Sequence, residues 1–219
     1  MKLTKLEPSS RVAGRWLVWL EDGTLLRVGE ADVVSFSLYA GMELGEEQLD
    51  GLRLAQEQAK LKNKALNLLS ARPMSQRELE RKLSAKPPRK GEAQEEGEEQ
   101  REQRRELAQQ VAQRMAQVGL VNDREYASTV VRHYGRKGYG PAKIRDELYR
   151  RGVPREFWDE AMEELDQDDQ QLRALVDKKL RGAAPTREEL KKVSAYLARR
   201  GFGWEQISRV LRDVEQEAE

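Results

Sequence analysis

The sequence predicts a mainly all-α protein: three tandem three-helix repeats forming an elongated curved body, with a small N-terminal β-hairpin. Three observations lead there. Strand-like alternation is confined to residues 15–28, helical periodicity runs from Glu46 onward, and one pattern of residues recurs at a fixed offset of 49.

The hairpin comes first in the chain. Trp16, Val18 and Leu20 alternate in a way that suits a strand, Glu21-Asp22-Gly23-Thr24 forms a turn, and Leu25, Leu26 and Val28 follow. Asp-Gly between two apolar runs is a hairpin signal, because glycine accepts positive φ without steric cost. A lone hairpin is marginal in water, so it is expected to lean on helices through Trp16, Trp19, Phe36 or Leu38.

Helices follow. Leu49, Leu52, Leu61, Ala65, Leu66 and Leu69 fall on one side of a 3.6-residue period. Further on, Leu148-Tyr-Arg-Arg-Gly152-Val153 returns as Leu197-Ala-Arg-Arg-Gly201-Phe202. At the same offset of 49, Ile144 answers to Val193, and Trp158, Ala161 and Met162 answer to Ile207, Val210 and Leu211. A fainter copy precedes them, since Leu79 and Leu83 stand 65 residues before Ile144 and Leu148.

Each unit reads as helix, turn, helix, glycine corner, helix. Ser75-Gln-Arg-Glu78 and Thr186-Arg-Glu-Glu189 fit capping boxes, and Gly140-Pro141 places proline in a first helical turn. Gly152 and Gly201 stand where a left-handed residue ends a helix. The expected organisation is residues 1–60 as hairpin and linking helices, 61–121 as repeat one, 122–168 as repeat two and 169–219 as repeat three. Repeat one carries an acidic low-complexity insertion over about 86–106, with Pro87-Pro88 and no apolar periodicity until Leu107, expected to be a disordered or frayed loop.

Composition sets limits on function. With 38% apolar and 36% charged residues, the helices should be thin and amphipathic, without a deep pocket. Cysteine is absent and His133 is the only histidine, so thiolate metal sites, histidine clusters and the usual triads cannot be assembled. Acidic residues are plentiful, but they sit in charged helix faces or low-complexity sequence, without a glycine-rich phosphate cradle. No enzyme activity, cofactor or metal is expected. No apolar run reaches the roughly 18 residues needed to cross a bilayer, and the start of the chain lacks a signal-peptide pattern, so a soluble cytoplasmic protein is expected.

Net charge is only +1, but it hides blocks. Residues 130–155 carry eight basic against two acidic residues, and residues 172–212 carry eleven against four, local balances of +6 and +7. The candidate binding residues for a protein partner or DNA are Arg132, Arg136, Lys137, Tyr139, Lys143, Arg145, Arg150, Arg151, Lys178, Lys179, Arg199 and Arg200. The repeated pairs Arg150-Arg151 and Arg199-Arg200 stand out among them, and a plain solvated helix face is the alternative for each. Between the blocks, Glu156 to Asp169 holds eight acidic residues and no basic ones; it would repel phosphate, or pair with a neighbouring repeat or the partner. Tyr126, Tyr134 and Trp158 are read as core, whereas Tyr139, between two glycines, is the aromatic with the better claim to a contact role.

Three segments resemble the RecX family: Leu68-Leu-Ser-Ala-Arg-Pro-Met-Ser-Gln-Arg-Glu-Leu79, Val118-Gly-Leu-Val-Asn-Asp123 and Arg136-Lys-Gly-Tyr-Gly-Pro141. The resemblance covers roughly residues 60–215. It implies three tandem three-helix repeats and a non-enzymatic protein of DNA recombination, DNA repair and the SOS response. Such a protein lies along the RecA recombinase filament on single-stranded DNA and limits its ATPase, strand-exchange and co-protease activities. The acidic insertion departs from the short corner usual in that family. A monomer is expected, with RecA as partner and single- or double-stranded DNA as a further contact. Two other readings stand beside it: a helical-repeat DNA-binding protein acting independently of RecA, and a scaffold for another protein contacted through the acidic insertion or the tail Glu215-Gln-Glu-Ala-Glu219.

Overall fold

Trp16, Val18 and Leu20 do form a strand, but the hairpin is not alone. The computed structural model describes residues 1–85, 97–165, 169–180 and 186–218. In it, β1 (Leu3–Pro8), β2 (Arg15–Leu20) and β3 (Leu25–Gly29) make an antiparallel sheet in the order β1-β2-β3. Trp16 pairs with Pro8 and Val28, and Val18 with Leu6 and Leu26. At the β2–β3 turn Gly23 adopts φ +83°, and Leu20 N–H donates to Thr24 C=O at 2.9 Å. Sequence reading missed β1, whose Lys, Thr and Glu side chains dilute its alternation.

The residues divide into two compact units, Met1–Arg72 with Glu80–Met115, and Pro73–Leu79 with Ala116–Glu219. In the first, α1 (Glu30–Ser35) and α2 (Glu46–Ala71) follow the sheet. Leu3, Val18, Leu20, Leu26, Val28, Leu38, Leu44, Leu49 and Leu52 form its core, with Trp16 and Phe36 packed against them. Trp19 lies outside this cluster, since alternation places it on the face opposite to Val18 and Leu20. Arg27 N–H donates to the Gln56 side chain at 2.8 Å, which occupies the free edge of β3. Along α2, Ala65 is buried, but Leu66 is 39% exposed and does not join the apolar side as expected.

The first repeat comprises the end of α2, α3 (Gln76–Ser84) and α4 (Glu98–Gln117). Residues 98–106, expected to be loop, are helical. Glu, Gln and Arg are strong helix formers, Glu98 and Glu99 complement the N-terminal dipole, and Glu102 pairs with Arg105 at 3.6 Å. Apolar contacts enter only at Leu107, Ala108, Val111, Ala112 and Met115, all buried, so the first turns of α4 are held by propensity and charge. Residues 86–96 of the acidic insertion lie outside the described residues. The last carbonyls of α3 accept from cations: Lys64 Nζ donates to Lys82 C=O at 2.7 Å and Arg104 Nε to Ser84 C=O at 2.8 Å.

The second unit holds the two clearest repeats. Repeat two is α5 (Asp123–Arg136), α6 (Pro141–Arg150) and, after a 3₁₀ turn at Arg155–Phe157, α7 (Trp158–Glu163). Repeat three is α8 (Asp169–Leu180), α9 (Arg187–Arg199) and α10 (Trp204–Ala218). Positions related by 49 residues occupy matching places. Ile144 and Val193 are buried, as are Leu148 and Leu197, and Ala161 and Val210. The Thr186 hydroxyl accepts from Glu189 N–H at 3.3 Å while the Glu189 carboxylate accepts from Thr186 N–H at 2.9 Å, the predicted capping box.

Gly152 and Gly201 take φ +69° and +89°, as the corner reading requires. They also join the repeats. The Ser75 hydroxyl, which caps α3 by accepting from Glu78 N–H at 3.0 Å, donates to Arg151 C=O. One repeat further on, Gly140 N–H donates to Arg200 C=O at 2.8 Å and Ala142 N–H to Gly201 C=O at 3.1 Å. Each time the start of a repeat's second helix meets the corner that ends the second helix of the next repeat.

Candidate functional site

In repeat two the basic block is largely neutralised by its own neighbours. Lys143 Nζ lies 3.0 Å from Asp146 and 3.6 Å from Glu147; Arg150 lies 3.1 Å from Asp146 and 4.0 Å from Glu147. The hydrogen bond from Lys143 holds the Asp146 carboxyl below its ordinary range and raises the lysine in return. From α7 and the residue after it, Asp159 faces Arg145 at 3.8 Å and Glu164 faces Arg132 at 3.1 Å, while Glu160 holds Arg124 at 3.3 Å. Among its described residues the acidic stretch thus serves its own repeat, while Asp169, the first residue of α8, pairs with Arg209 of α10 at 3.0 Å within repeat three. Arg136 and Lys137, in the last turn of α5 and its cap, are exposed.

The second arginine of each repeated pair points inward. Arg151 donates to the hydroxyls of Tyr126 at 2.9 Å and Tyr134 at 3.2 Å, with Glu147 at 3.7 Å from its Nε. Burial works against its charge, and the two tyrosine hydroxyls more than offset this, so its pKa rises. Arg200 donates to Lys137 C=O at 2.7 Å and Gly138 C=O at 2.8 Å, and its guanidinium stacks over Tyr139 at 4.9 Å and Tyr196 at 5.1 Å. Tyr126 is buried, and Tyr134, Tyr139 and Trp158 pack partly buried against the repeat-two core. Tyr139 therefore lies beneath Arg200 rather than standing clear in solvent.

Repeat three differs. Arg173 is held by Asp177 at 3.0 Å and by Glu217 of the C-terminal helix, which commits that part of the acidic tail to an internal contact. Lys178, Lys179, Lys191, Lys192 and Arg199 are exposed, and among the described residues no carboxylate lies within 4.0 Å of them. Lys179 Nζ sits 4.7 Å above the Tyr196 ring. Of the candidate residues, Arg136, Lys137, Lys178, Lys179 and Arg199 are exposed with no carboxylate within 4.0 Å among the described residues, whereas Arg132, Lys143, Arg145, Arg150, Arg151 and Arg200 have internal partners.

Sequence profiles of the first, second and third three-helix domains of RecX match residues 62–87, 122–162 and 166–211. The regulatory protein RecX of Serratia proteamaculans is 31% identical over 165 residues, covering 71% of this chain and 98% of that one. The chain belongs to the RecX family. The RecX of Clostridioides difficile is 29% identical over 217 residues, 97% of this chain and 95% of its own. Among solved structures, a crystal structure of regulatory protein RecX matches 96% of this chain and 98% of its own with a TM-score of 0.73 at 24% identity. RecX from Lactobacillus salivarius covers 74% of this chain and 99% of its own with a TM-score of 0.56 at 20% identity. Both show the same fold.

Within this RecX-family chain, Asp146 and Glu147 enter the block charge only as two acids against eight bases. Their spacing of three and four residues from Lys143, Arg150 and Arg151 was the available signal that helix geometry would pair them. The half-buried Asp123, which accepts Gln76 N–H at 2.8 Å, carries no such local signal, because its partner is 47 residues away. No helix among the described residues is long and apolar enough to cross a membrane.

Proposed function

We propose that this chain is a non-enzymatic cytoplasmic regulator that binds the RecA recombinase filament on DNA and suppresses its ATPase, strand-exchange and co-protease activities. Membership of the RecX family carries the reading, and the exposed cations of repeat three support it by offering a surface for an acidic protein face or a phosphate backbone. We assign the repeats to residues 61–121, 122–168 and 169–219 and take the working form as a monomer. Suppression of DNA-dependent ATP hydrolysis by the cognate recombinase tests it: turnover should fall as the chain is added, and unchanged turnover at saturation refutes it. A variant with Lys178, Lys179 and Arg199 changed to glutamine should need more protein for the same suppression. Arg151 and Arg200 are poor targets for that test, since their guanidinium groups hold the fold. DNA binding independent of RecA is the second reading, favoured by the same unneutralised lysines; tight binding to bare DNA with no effect on recombinase would establish it.

A further inference from the structure

We propose that the hollow between the end of α8 and the outer face of α9 is a phosphoryl-binding site. It encloses about 310 Å³ and is lined by Lys179 and Leu180 from α8 and by Lys192, Val193, Tyr196 and Arg199 from α9. Lys192, Tyr196 and Arg199 follow at i, i+4 and i+7, so one helix face carries all three to the hollow, and Lys179 approaches from across the Tyr196 ring at 4.7 Å. Among the described residues the lining has one carboxylate, Glu189, which the Thr186 N–H and hydroxyl engage at 2.9 Å each and which also feels the charge of Lys192, with no ion pair within 4.0 Å.

The internal repeat supplies the decisive comparison. At the offset of 49, Lys192 and Arg199 answer to Lys143 and Arg150, two cations that repeat two neutralises with Asp146 and Glu147. In repeat three those two acids are replaced by Ala195 and Tyr196. The cations recur in both repeats while the two acids that pair with them in repeat two do not, in the same helix of the same motif. Exposed cations without an ion pair can accept an anion with no internal contact to break, and a tetrahedral phosphoryl group presents oxygens to several donors at once. Tyr196 has Lys179 and Arg200 over its ring, so the hollow offers charge and not a platform for stacking a base.

The phosphoryl group can belong to a nucleic-acid backbone or to a free phosphate ester; the first source deepens the filament reading and rests on it. The full chain is titrated with tripolyphosphate, following the thermal midpoint, and with a labelled oligothymidylate, following anisotropy across a salt series. Tripolyphosphate should raise the wild-type midpoint. Affinity should fall roughly ten-fold or more in Ala195→Asp, which introduces the repeat-two counter-ion at an exposed position, and in Lys192→Gln/Arg199→Gln, while Lys60→Gln should behave as wild type. Displacement of the oligonucleotide by tripolyphosphate, with its salt slope reduced by about 0.7 in Ala195→Asp, identifies a backbone phosphate; tripolyphosphate binding without oligonucleotide binding identifies a free ester. Absence of binding by either probe, or unchanged binding in both variants, overturns the site. Phosphate binding that leaves recombinase turnover untouched supports the site and refutes the filament reading. Suppressed turnover with phosphate binding intact in Ala195→Asp does the reverse.

Discussion

Three glycine-to-alanine changes separate the two roles of glycine in this fold. Gly23 has φ +83° with nothing within 4 Å of an added Cβ, so Gly23→Ala meets only the left-handed backbone, about 1–2 kcal/mol. Gly140 has φ −82°, but its Cβ would stand 2.5 Å from the carbonyl carbon and oxygen of Gly201, so Gly140→Ala meets only overpacking, about 1–3 kcal/mol. Gly201 combines φ +89° with a Cβ 2.3 Å from Lys143 N, both backbone-limited, so the two terms sum to about 2–5 kcal/mol. Relief of that clash must pull the corner from α6 and stretch the Gly140 and Ala142 bonds to Arg200 and Gly201. Since whole domains are stable by only about 5–15 kcal/mol, Gly201→Ala should take a large share. Urea unfolding followed by far-UV circular dichroism gives the ranking, and amide exchange should accelerate at Gly140 and Ala142 in Gly201→Ala but not in Gly23→Ala. Equal losses in all three, or a Gly201 loss no larger than that at Gly23, would refute the account of how repeats two and three are joined.

Arg200→Ala should destabilise by about 1.5–3 kcal/mol, through loss of a charged donor to two carbonyls, while Arg199→Ala stays within about 0.5 kcal/mol; equal effects in urea unfolding would contradict the inward and outward assignments. Burial raises the Asp123 pKa above its ordinary value, more than the Gln76 N–H lowers it, so between the unfolded and folded values the native state binds the extra proton and stability falls as pH rises. Asp123→Asn should therefore gain on wild type between a pH below the ordinary aspartate range and neutrality, measured as the difference in unfolding midpoints. Thr186→Ala should lose about 0.5–2 kcal/mol of cap stabilisation, visible as faster exchange in the first turn of α9. The Thr186 N–H and hydroxyl hold Glu189 below its ordinary pKa, so the part of the cap due to that carboxylate is present at neutral pH and fades on acidification through the lowered value.

Much of the fold was legible because its signals are local. The offset of 49 placed Leu148 and Leu197 at equivalent buried sites, and the capping box at Thr186 and the corners at Gly152 and Gly201 follow from the conformations those residues favour. β1 was not legible, because a half-polar edge strand is specified by its partner rather than by its own pattern. Residues 98–106 misled, since polar composition describes both a loop and a solvated helix, and the stripe beginning at Leu107 decides between them. In the candidate surface, the block charges of +6 and +7 were correct as sums and uninformative about availability.

What the sequence alone determined is therefore the kind of object: a helical motif used three times, each copy with its own starts and stops, because caps, corners and apolar periodicity act over a few residues. Only the tertiary structure decided which cations meet counter-ions or acceptors from other helices. Arg151 and Arg200 look alike in the chain, yet one meets the hydroxyls of Tyr126 and Tyr134 and the other two carbonyls of the neighbouring repeat. Asp159 and Glu164 take Arg145 and Arg132, while Lys178, Lys179 and Arg199 have no carboxylate within 4.0 Å among the described residues. An electrostatic field depends on distances between charges, and those across helices are set only when the helices pack.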